Sequence, residues 1–346
     1  MNTVQRKMPR APGGRHWLSA WIATALVLVA TALFNAGKGG PSLGPLLSTA
    51  LSFSTFTVLV SLGQMLVITS GPGNIDLSIP SVIALSGALS MSVMNGANGM
   101  ILPGVAVALL SGAVVGGFNF VLIRFLRIPP IIATLSSALI VLSCAIAYGR
   151  GGGPAPPARR GPMMVVGVAR AAGRPPPPPP PALLAQMMVV RIAWLPLFSI
   201  FAIALTLLVW LLLTRTLYGR ALAALGQNTN AARLAGVRTD FHVWLTYVIC
   251  GALAGLTGCL IATFSGGNSL DQGNEYLLLT VAVVVIGGTS VSGGRASLGG
   301  VWGAALFMFL LVALLNSAGA SAGLRTVLTG IIIVAVVALT EKRKSL

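Results

Sequence analysis

The feature that most constrains this chain is a series of long apolar runs, each of a length that suits a membrane. A helix needs about 20 mostly apolar residues to cross the hydrocarbon of a bilayer. Two of the ten runs are short enough to be broken or re-entrant segments. The pattern predicts an all-α integral membrane protein with about ten transmembrane helices and Gly-rich broken or re-entrant segments. The ten runs are 17–34, 46–69, 79–94 (short), 100–123, 128–148, 193–213, 241–264, 276–290 (short), 298–316 and 322–340.

Composition excludes the soluble classes of protein. Of the 346 residues, 55% are hydrophobic and only 8% are charged, whereas soluble domains carry about 25% charged residues. The 22 basic side chains outnumber the five acidic ones, but they lie in short gaps between apolar runs. A nucleic-acid interface would instead cluster them on one face together with aromatic residues. We therefore expect a membrane-lipid environment and no nucleic-acid partner.

The distribution of basic residues predicts the orientation. An even number of spans puts both termini on the same side, and basic tails mark that side as the cytoplasm. The chain then divides into a basic cytoplasmic tail (1–16), helices one to five (17–148), an Arg/Pro-rich segment (149–192), helix six (193–213), a cytoplasmic segment (214–240), helices seven to ten (241–340) and a second basic tail (341–346).

The segment 149–192 departs from this pattern. It holds six arginines, no acidic residue and seven consecutive prolines, Pro175 to Pro181. Polyproline is a stiff extended spacer, and arginines on the outer face oppose the rule that sets orientation. Two interpretations stay open. The segment is either an external loop that contacts a partner or an aberrant stretch translated out of frame.

A Gly- and Pro-rich break at 71–80 carries the first candidate site residues, Asn74, Asp76 and Ser78. Ser78 is expected to cap the following helix, with Pro80 in its first turn. Asp76 is the sole acidic residue among the first 239, and an acid near membrane depth is by default a functional candidate. The alternative is a charge stabilised by the helix dipole at a helix start.

Two further segments interrupt the apolar pattern. The cytoplasmic stretch 216–236 is rich in Ala and Gly, so its backbone allows a partner surface to approach closely. The stretch 286–300 is a second Gly-rich break and contributes the candidates Gly287, Gly288, Thr289 and Arg295. Corresponding Gly/Pro-interrupted segments in two halves of a transporter point to its central site.

An alignment of the two breaks sets Ser78 against Ser297 and Asp76 against Arg295. The alignment predicts that both breaks line the path and that the two opposite charges form an inner gate latch. Opposite charges in a partly dry site attract each other. The alternative is that Arg295 is a basic anchor at the cytoplasmic side and Asp76 a helix-start charge.

Four motifs carry a resemblance to a known family: "GNIDLS" after the second run, "RIPPIIATL" at 127–135, "TLYGRALAALGQNTNAARLAGV" at 216–237 and "VVIGGTSVSGGRASLGG" at 284–300. In order and spacing the chain resembles the permease subunit of ribose-type ABC sugar importers over 46–148 and 193–340. It departs from the family at Asn74, where Gly is usual, and at 149–192.

The resemblance implies an inner-membrane homodimer that works with a periplasmic sugar-binding protein and a cytoplasmic ATPase. It also implies that 216–237 contains the coupling helix seated in the ATPase. A bulky residue at Gly226 is then expected to block this approach. The expected coupling residues are Gly219, Arg220, Ala224, Gly226, Asn228, Ala232, Arg233 and Gly236.

The residues also bear on what the chain does not do. No phosphate-binding loop of the G-x-x-x-x-G-K-[ST] type occurs, so ATP and magnesium would bind the partner ATPase and this chain needs no cofactor. His16 and His242 have no obvious acidic partner to make a catalytic base, and Cys144, Cys250 and Cys259 lack metal-ligand spacing. We predict a non-enzymatic path for a ribose-like monosaccharide. The alternatives are a branched-chain amino-acid permease and a channel.

Overall fold

A computed structural model describes residues 16–37, 42–150, 179–192 and 195–342 of the chain. Nearly all regular structure in these residues is helical. Two strands in the same ranges, β1 (Arg191–Ile192) and β2 (Leu195–Pro196), form one short antiparallel ladder. The helices are α1 (His16–Ala36), α2 (Leu43–Thr69), α3 (Ile79–Met94), a 3-10 turn (Asn98–Met100), α4 (Ile101–Phe125), α5 (Pro130–Arg150), α6 (Ala182–Val189), α7 (Leu197–Arg215), α8 (Leu217–Gln227), α9 (Thr229–Leu234), α10 (Thr239–Phe264), α11 (Tyr276–Ile286), α12 (Leu298–Ser317) and α13 (Ala322–Lys342).

The prediction of an all-α membrane protein is confirmed. In the described part of the chain, seven helical segments are long and apolar enough to span a bilayer, and these involve α1, α2, α4, α5, α7, α10 and α12. Shorter apolar helices occupy Ile79–Met94, Tyr276–Ile286 and Gly323–Ile332. With 11 residues, α11 is about 16 Å long, roughly half of the hydrocarbon thickness. The two runs predicted to be broken are therefore short helices.

Helices α2 and α10 form the interior of the bundle. In their most apolar windows, 83% of the residues of α2 and 72% of those of α10 are buried. The outer helices expose aliphatic side chains instead, such as Leu26 of α1, Leu110 of α4 and Leu207 of α7. Apolar faces of this extent suit contact with lipid or with another membrane subunit.

Small residues bring α4 and α10 into backbone contact. A Cβ added at Gly112 would lie 2.0 Å from the carbonyl oxygen of Gly251, and one added at Gly255 would lie 2.1 Å from that of Ala108. Pairs of small residues four apart allow this approach between membrane helices. The seam holds α10, and with it the core, against α4.

The boundaries near 149–196 differ from those predicted from the sequence. The run predicted at 193–213 is α7, which begins at Leu197. Leu195 precedes a proline and is therefore disfavoured in the helical region, and Pro196 itself has an extended conformation. The end of the Arg/Pro-rich segment is helix α6, whose Leu184 and Met188 are buried against the core. Residues 151–178, with most of the arginines and the first four prolines of the run, lie outside the described residues.

Candidate functional site

The three Gly-rich segments meet at one end of the bundle. We call them the first break (70–78), the coupling segment (216–237) and the second break (287–297). The backbone N–H of Gly294, in the second break, donates to the carbonyl oxygen of Thr69, where α2 ends, at 2.9 Å. Helix α8 lies against both, since a Cβ added at Gly226 would be 2.1 Å from the Thr69 oxygen and 2.1 Å from the Gly294 nitrogen. Three backbones are thus joined with no room for a side chain.

The glycines of the second break also have backbone conformations that other residues avoid. Gly293 and Gly294 have φ angles of +86° and +78°, in the left-handed region that glycine enters without steric cost. Gly293 lies close to the first break as well, since its added Cβ would be 3.0 Å from the Cα of Gly71. The backbones of the two breaks are therefore in direct contact, and their role in lining a path stays a prediction.

In the first break, the carboxylate of Asp76 lies in a buried polar cluster. Oδ1 of Asp76 accepts from the backbone N–H of Ser78 at 2.9 Å and from its hydroxyl at 2.6 Å. The amide of Asn119, on α4, donates to the same oxygen at 3.3 Å and to the Ser78 hydroxyl at 2.8 Å. Asp76 is only 2% exposed, so neutral donors, rather than water, surround its carboxylate.

Helices α2 and α5 complete the cluster through the backbone of the break. The N–H of Asp76 donates to Oε1 of Gln64 at 3.3 Å, and the N–H of Leu77 donates to the hydroxyl of Thr134 at 3.1 Å. The hydroxyl of Ser137 donates to Oδ1 of Asn119. Since an unpaired backbone group in a membrane is costly, these bonds explain how an irregular segment is tolerated inside the bundle.

Ser78 has a different role from the one predicted. It is the residue that precedes α3, and Pro80 stands in the first turn as expected, but its hydroxyl caps no backbone N–H. The hydroxyl instead donates to Oδ1 of Asp76 and accepts from the amide of Asn119, and the αR backbone of Ser78 differs from the extended conformation of an N-cap residue. The interpretation of Asp76 as a helix-start charge agrees with this geometry.

The second break is held mainly by hydrogen bonds among its own residues and by close backbone contact. The N–H of Ser290 donates to the carbonyl oxygen of Arg295 at 3.1 Å, and the N–H of Ser297 donates to the hydroxyl of Thr289 at 3.2 Å. Gly287 lies against Gly300 so closely that neither position accepts a Cβ. Thr289 is buried, whereas the Arg295 side chain is exposed.

The predicted latch between Asp76 and Arg295 is wrong for this structure. Asp76 is bonded to Ser78 and Asn119, while Arg295 is exposed; within the described ranges, the one ion pair joins Arg124 to Asp240 at 3.0 Å. A buried carboxylate satisfied by neighbouring donors has no need of a cation on a separate loop.

The serine alignment of the two breaks corresponds to a shared helix start. Ser78 precedes α3 and Ser297 precedes α12. The carbonyl oxygen of each accepts from the N–H four residues later, at 3.0 Å for Val82 and 3.1 Å for Val301. The two breaks therefore lead into helices in the same way, although their surroundings differ.

The coupling segment consists of α8 and α9, and its predicted residues divide between two faces. Gly219, Gly226 and Ala232 are buried and Ala224 is half-buried, while Arg220, Asn228, Arg233 and Gly236 are exposed. The expectation that Gly226 approaches a partner is wrong, because this glycine contacts the chain's own Thr69 and Gly294.

Side chains fix the coupling segment to the bundle and shape its turns. The Tyr218 hydroxyl lies 2.8 Å from that of Thr246 on α10, and burial raises the pKa of Tyr218 to about 12. Thr216 accepts a hydrogen bond from the N–H of Gly219, and Asn228 accepts one from the N–H of Ala231, as N-cap residues do. The exposed face is thereby held in a defined position.

Several contributing residues were missed in the sequence. Gln64, Asn119, Thr134 and Ser137 hold the first break, and each is a polar side chain inside an apolar run. Amides at membrane depth were the available signal. Leu234, 90% exposed at the end of α9, was also missed. Within the described residues, no group of three His, Cys, Asp or Glu side chains could hold a metal ion.

Known permease proteins are similar to this chain over most of its length. Residues 46–337 match the family described as branched-chain amino acid transport system / permease component. The ribose import permease protein RbsC of Escherichia coli K12 is 29% identical over 337 residues, which cover 96% of this chain and 98% of RbsC. No solved structure matches the chain.

Other relatives carry names with different substrates. The fructose import permease protein FruF of Bifidobacterium longum is 30% identical over 77% of this chain and 68% of its own length. The autoinducer 2 import system permease protein LsrD of Klebsiella pneumoniae is 28% identical over 92% of this chain and 90% of its own. With the family match extending over most of the length, the chain belongs to this family of ABC importer permease components, as its resemblance to the ribose-type permease subunit predicted.

Proposed function

We propose that this chain forms the translocation path for a sugar, a ribose-like monosaccharide, as a homodimer in the bacterial inner membrane with both termini in the cytoplasm. A periplasmic sugar-binding protein delivers the substrate, and a separate cytoplasmic ATPase supplies the energy. The relatives named as ribose and fructose import permeases support a sugar as the substrate class. The motifs of the two breaks support the same branch of the family.

The observation that carries the proposal is the joint among Thr69, Gly226 and Gly294. A force applied to α8 by an ATPase reaches the end of α2 and the second break without passing through a flexible side chain. Close-packed contacts have discrete arrangements rather than a soft response. The second break is therefore positioned to move with the coupling segment relative to the first break, and Asn74, Asp76, Ser78, Gly287, Gly288, Thr289 and Arg295 would act as the fixed and moving parts of a gate.

The docking face for the ATPase would be the exposed side of the coupling segment. It presents Arg220, Asn228 and Arg233 together with Leu234. A large aliphatic side chain that is 90% exposed next to cationic groups suits the buried centre of a protein interface with a polar rim. This face lies beside the glycine joint, so contact there would act on the joint directly.

Co-purification of the ATPase tests this face. We expect Leu234→Asp to abolish retention of the ATPase on the affinity-tagged permease, because the variant puts a charge into an apolar contact. Leu126→Asp is the matched control, since Leu126 is also an exposed leucine, at 58%, but follows α4. Unchanged retention with Leu234→Asp, or equal loss with the control, would contradict the proposal.

The substrate class has its own test. The gene neighbourhood is to be searched for a periplasmic binding protein, and that protein is to be purified and titrated with ribose, other monosaccharides and branched-chain amino acids. A monosaccharide as the tightest ligand supports the proposal, and ribose or a close analogue supports its finer form. Preference for a branched-chain amino acid would favour the second candidate, which the description of the matched family suggests.

A further inference from the structure

A cleft of about 540 Å³ opens beside the glycine joint. Its walls come from the ends of α1 and α7, from α8 and from the second break, and include Trp17, Trp210, Thr214, Ala223 and Ser297. Trp17 and Trp210 are both partly exposed, at 46% and 41%. Tryptophan is enriched where membrane helices meet the headgroup region. The cleft therefore lies at the expected level of lipid headgroups.

Three exposed arginines adjoin the residues that line this cleft. Arg215 follows Thr214, Arg220 follows Gly219, and Arg295 stands between Gly294 and Ala296. In the part of the chain that the structure describes, none of the three forms an ion pair. Among the residues that the structure describes, no acidic side chain lines the cleft. An anionic group is the complementary occupant.

An apolar helix face continues from the cleft along α7. Leu207 and Leu211 are 55% and 41% exposed, and Leu207, seven residues before Thr214, lies on the same face of the helix as that lining residue. Helix α7 is long enough to span a bilayer. A molecule with a charged head in the cleft could thus lay hydrocarbon along this helix.

From the cleft, the arginines beside it and the apolar face of α7, we propose that the cleft binds the headgroup of an anionic phospholipid. The occupant contacts α8 and the second break as well as the ends of α1 and α7, so it lies against the joint that links the coupling segment to both breaks. The lipid is then a fixed part of the permease at this position. This inference does not depend on the transported substrate.

Native mass spectrometry of the purified full chain, titrated in detergent with phosphatidylglycerol or phosphatidylcholine, tests the site. We expect tighter retention of phosphatidylglycerol. A basic group near an anionic surface contributes about fivefold in affinity, so the triple variant Arg215→Gln, Arg220→Gln and Arg295→Gln should lower that retention by roughly 10- to 100-fold. The matched control replaces three exposed arginines away from the cleft, Arg127, Arg233 and Arg238, by glutamine.

Equal losses in the two triple variants would overturn the proposal, because net charge alone would then explain binding. So would equal retention of the two lipids. If the first triple variant loses the ATPase while its phosphatidylglycerol retention is unchanged, the arginines serve the protein partner and the lipid proposal is again overturned.

A variant that fills the cleft gives a second test without changing charge. Gly299 lines the cleft, and a Cβ added there meets no atom within 4 Å. Gly299→Leu is therefore expected to fold and to reduce phosphatidylglycerol retention at least several-fold. Gly44→Leu is the control, since that position is equally open but lies at the start of α2. Full retention with Gly299→Leu would contradict a headgroup in the cleft.

Discussion

The two Gly-rich breaks lead into helices in the same way but are held by different means. The first break is fixed by side chains from three helices, with Gln64, Asn119 and Thr134 as its partners. The second break is fixed by backbone contacts, through Gly287 and Gly294. Its charged residue, Arg295, is exposed, whereas Asp76 of the first break is buried.

This difference in how they are held predicts that the two breaks differ in rigidity. A segment held by directional bonds to several helices is over-determined, and it keeps one conformation while its partners stay in place. A segment held by glycine contacts depends on a close approach that a small displacement opens. We infer that the first break is the fixed element and the second break is the element that responds to the coupling segment. The following predictions test that division.

The largest effect is expected from Gly226→Leu. A leucine there must displace the backbones of both Thr69 and Gly294, each about 2.1 Å from the added Cβ. Overpacking costs about 1–3 kcal/mol, or more against backbone, so we expect a lower melting temperature and uptake reduced more than tenfold. Gly44→Leu, at the start of α2 where an added Cβ meets no atom within 4 Å, is the control and should behave as wild type. Wild-type uptake by a well-expressed Gly226→Leu chain would show that the joint has no role.

A smaller but clear effect is expected from Asp76→Ala. The substitution leaves the Ser78 N–H and hydroxyl and the Asn119 amide without their acceptor. Leaving a buried donor unsatisfied costs about 1–3 kcal/mol, which thermal unfolding in detergent can measure. Asp76→Asn keeps one acceptor oxygen and should lose less. If the alanine variant is no less stable than the asparagine variant, the first break is not held by this carboxylate.

The sequence predicted the helical content and the positions of the breaks because both depend on local pattern. Runs of apolar residues and clusters of Gly and Pro act within a few turns of chain. The sequence also marked Asp76 as unusual, since an acid in an apolar context is visible without any structure. What it paired with could not be predicted, because Gln64, Asn119 and Thr134 are brought to it only by helix packing.

The same limit explains the misassigned glycine. The sequence indicates a close approach at Gly226, but a glycine does not show which surface approaches it. The structure assigns Thr69 and Gly294 to that contact, whereas the exposed candidates Arg220 and Arg233 stay available for a partner. Residue type and spacing identify where a backbone can be approached closely, and tertiary packing determines which surface approaches it.

An exposed ion pair provides a reference for the buried carboxylate. Arg124 and Asp240 join the ends of α4 and α10 at 3.0 Å, and their side chains are 48% and 51% exposed. Exposed pairs contribute about 0.2–1 kcal/mol, so a double-mutant cycle of Arg124→Gln and Asp240→Asn should give a coupling in that range that falls as salt rises. A salt-insensitive coupling above about 2 kcal/mol would show that this pair is desolvated in the membrane. The exposure of Asp240 would then not distinguish its carboxylate from the buried carboxylate of Asp76.

The smallest effect is expected between Asp76 and Arg295, where the sequence alignment predicted the strongest. Within the described part of the chain their side chains share no hydrogen-bond partner, and Asp76 is buried while Arg295 is exposed. Changes at sites without shared partners add within about 0.3–0.5 kcal/mol. The double variant Asp76→Asn and Arg295→Gln should therefore lose as much stability as its two single variants lose together. The charge-reversed pair Asp76→Arg and Arg295→Asp should take up substrate no better than its worse single variant. Partial recovery of uptake by the reversed pair would mean that the two charges meet in another state of the transport cycle, and the first break would then be a moving element as well.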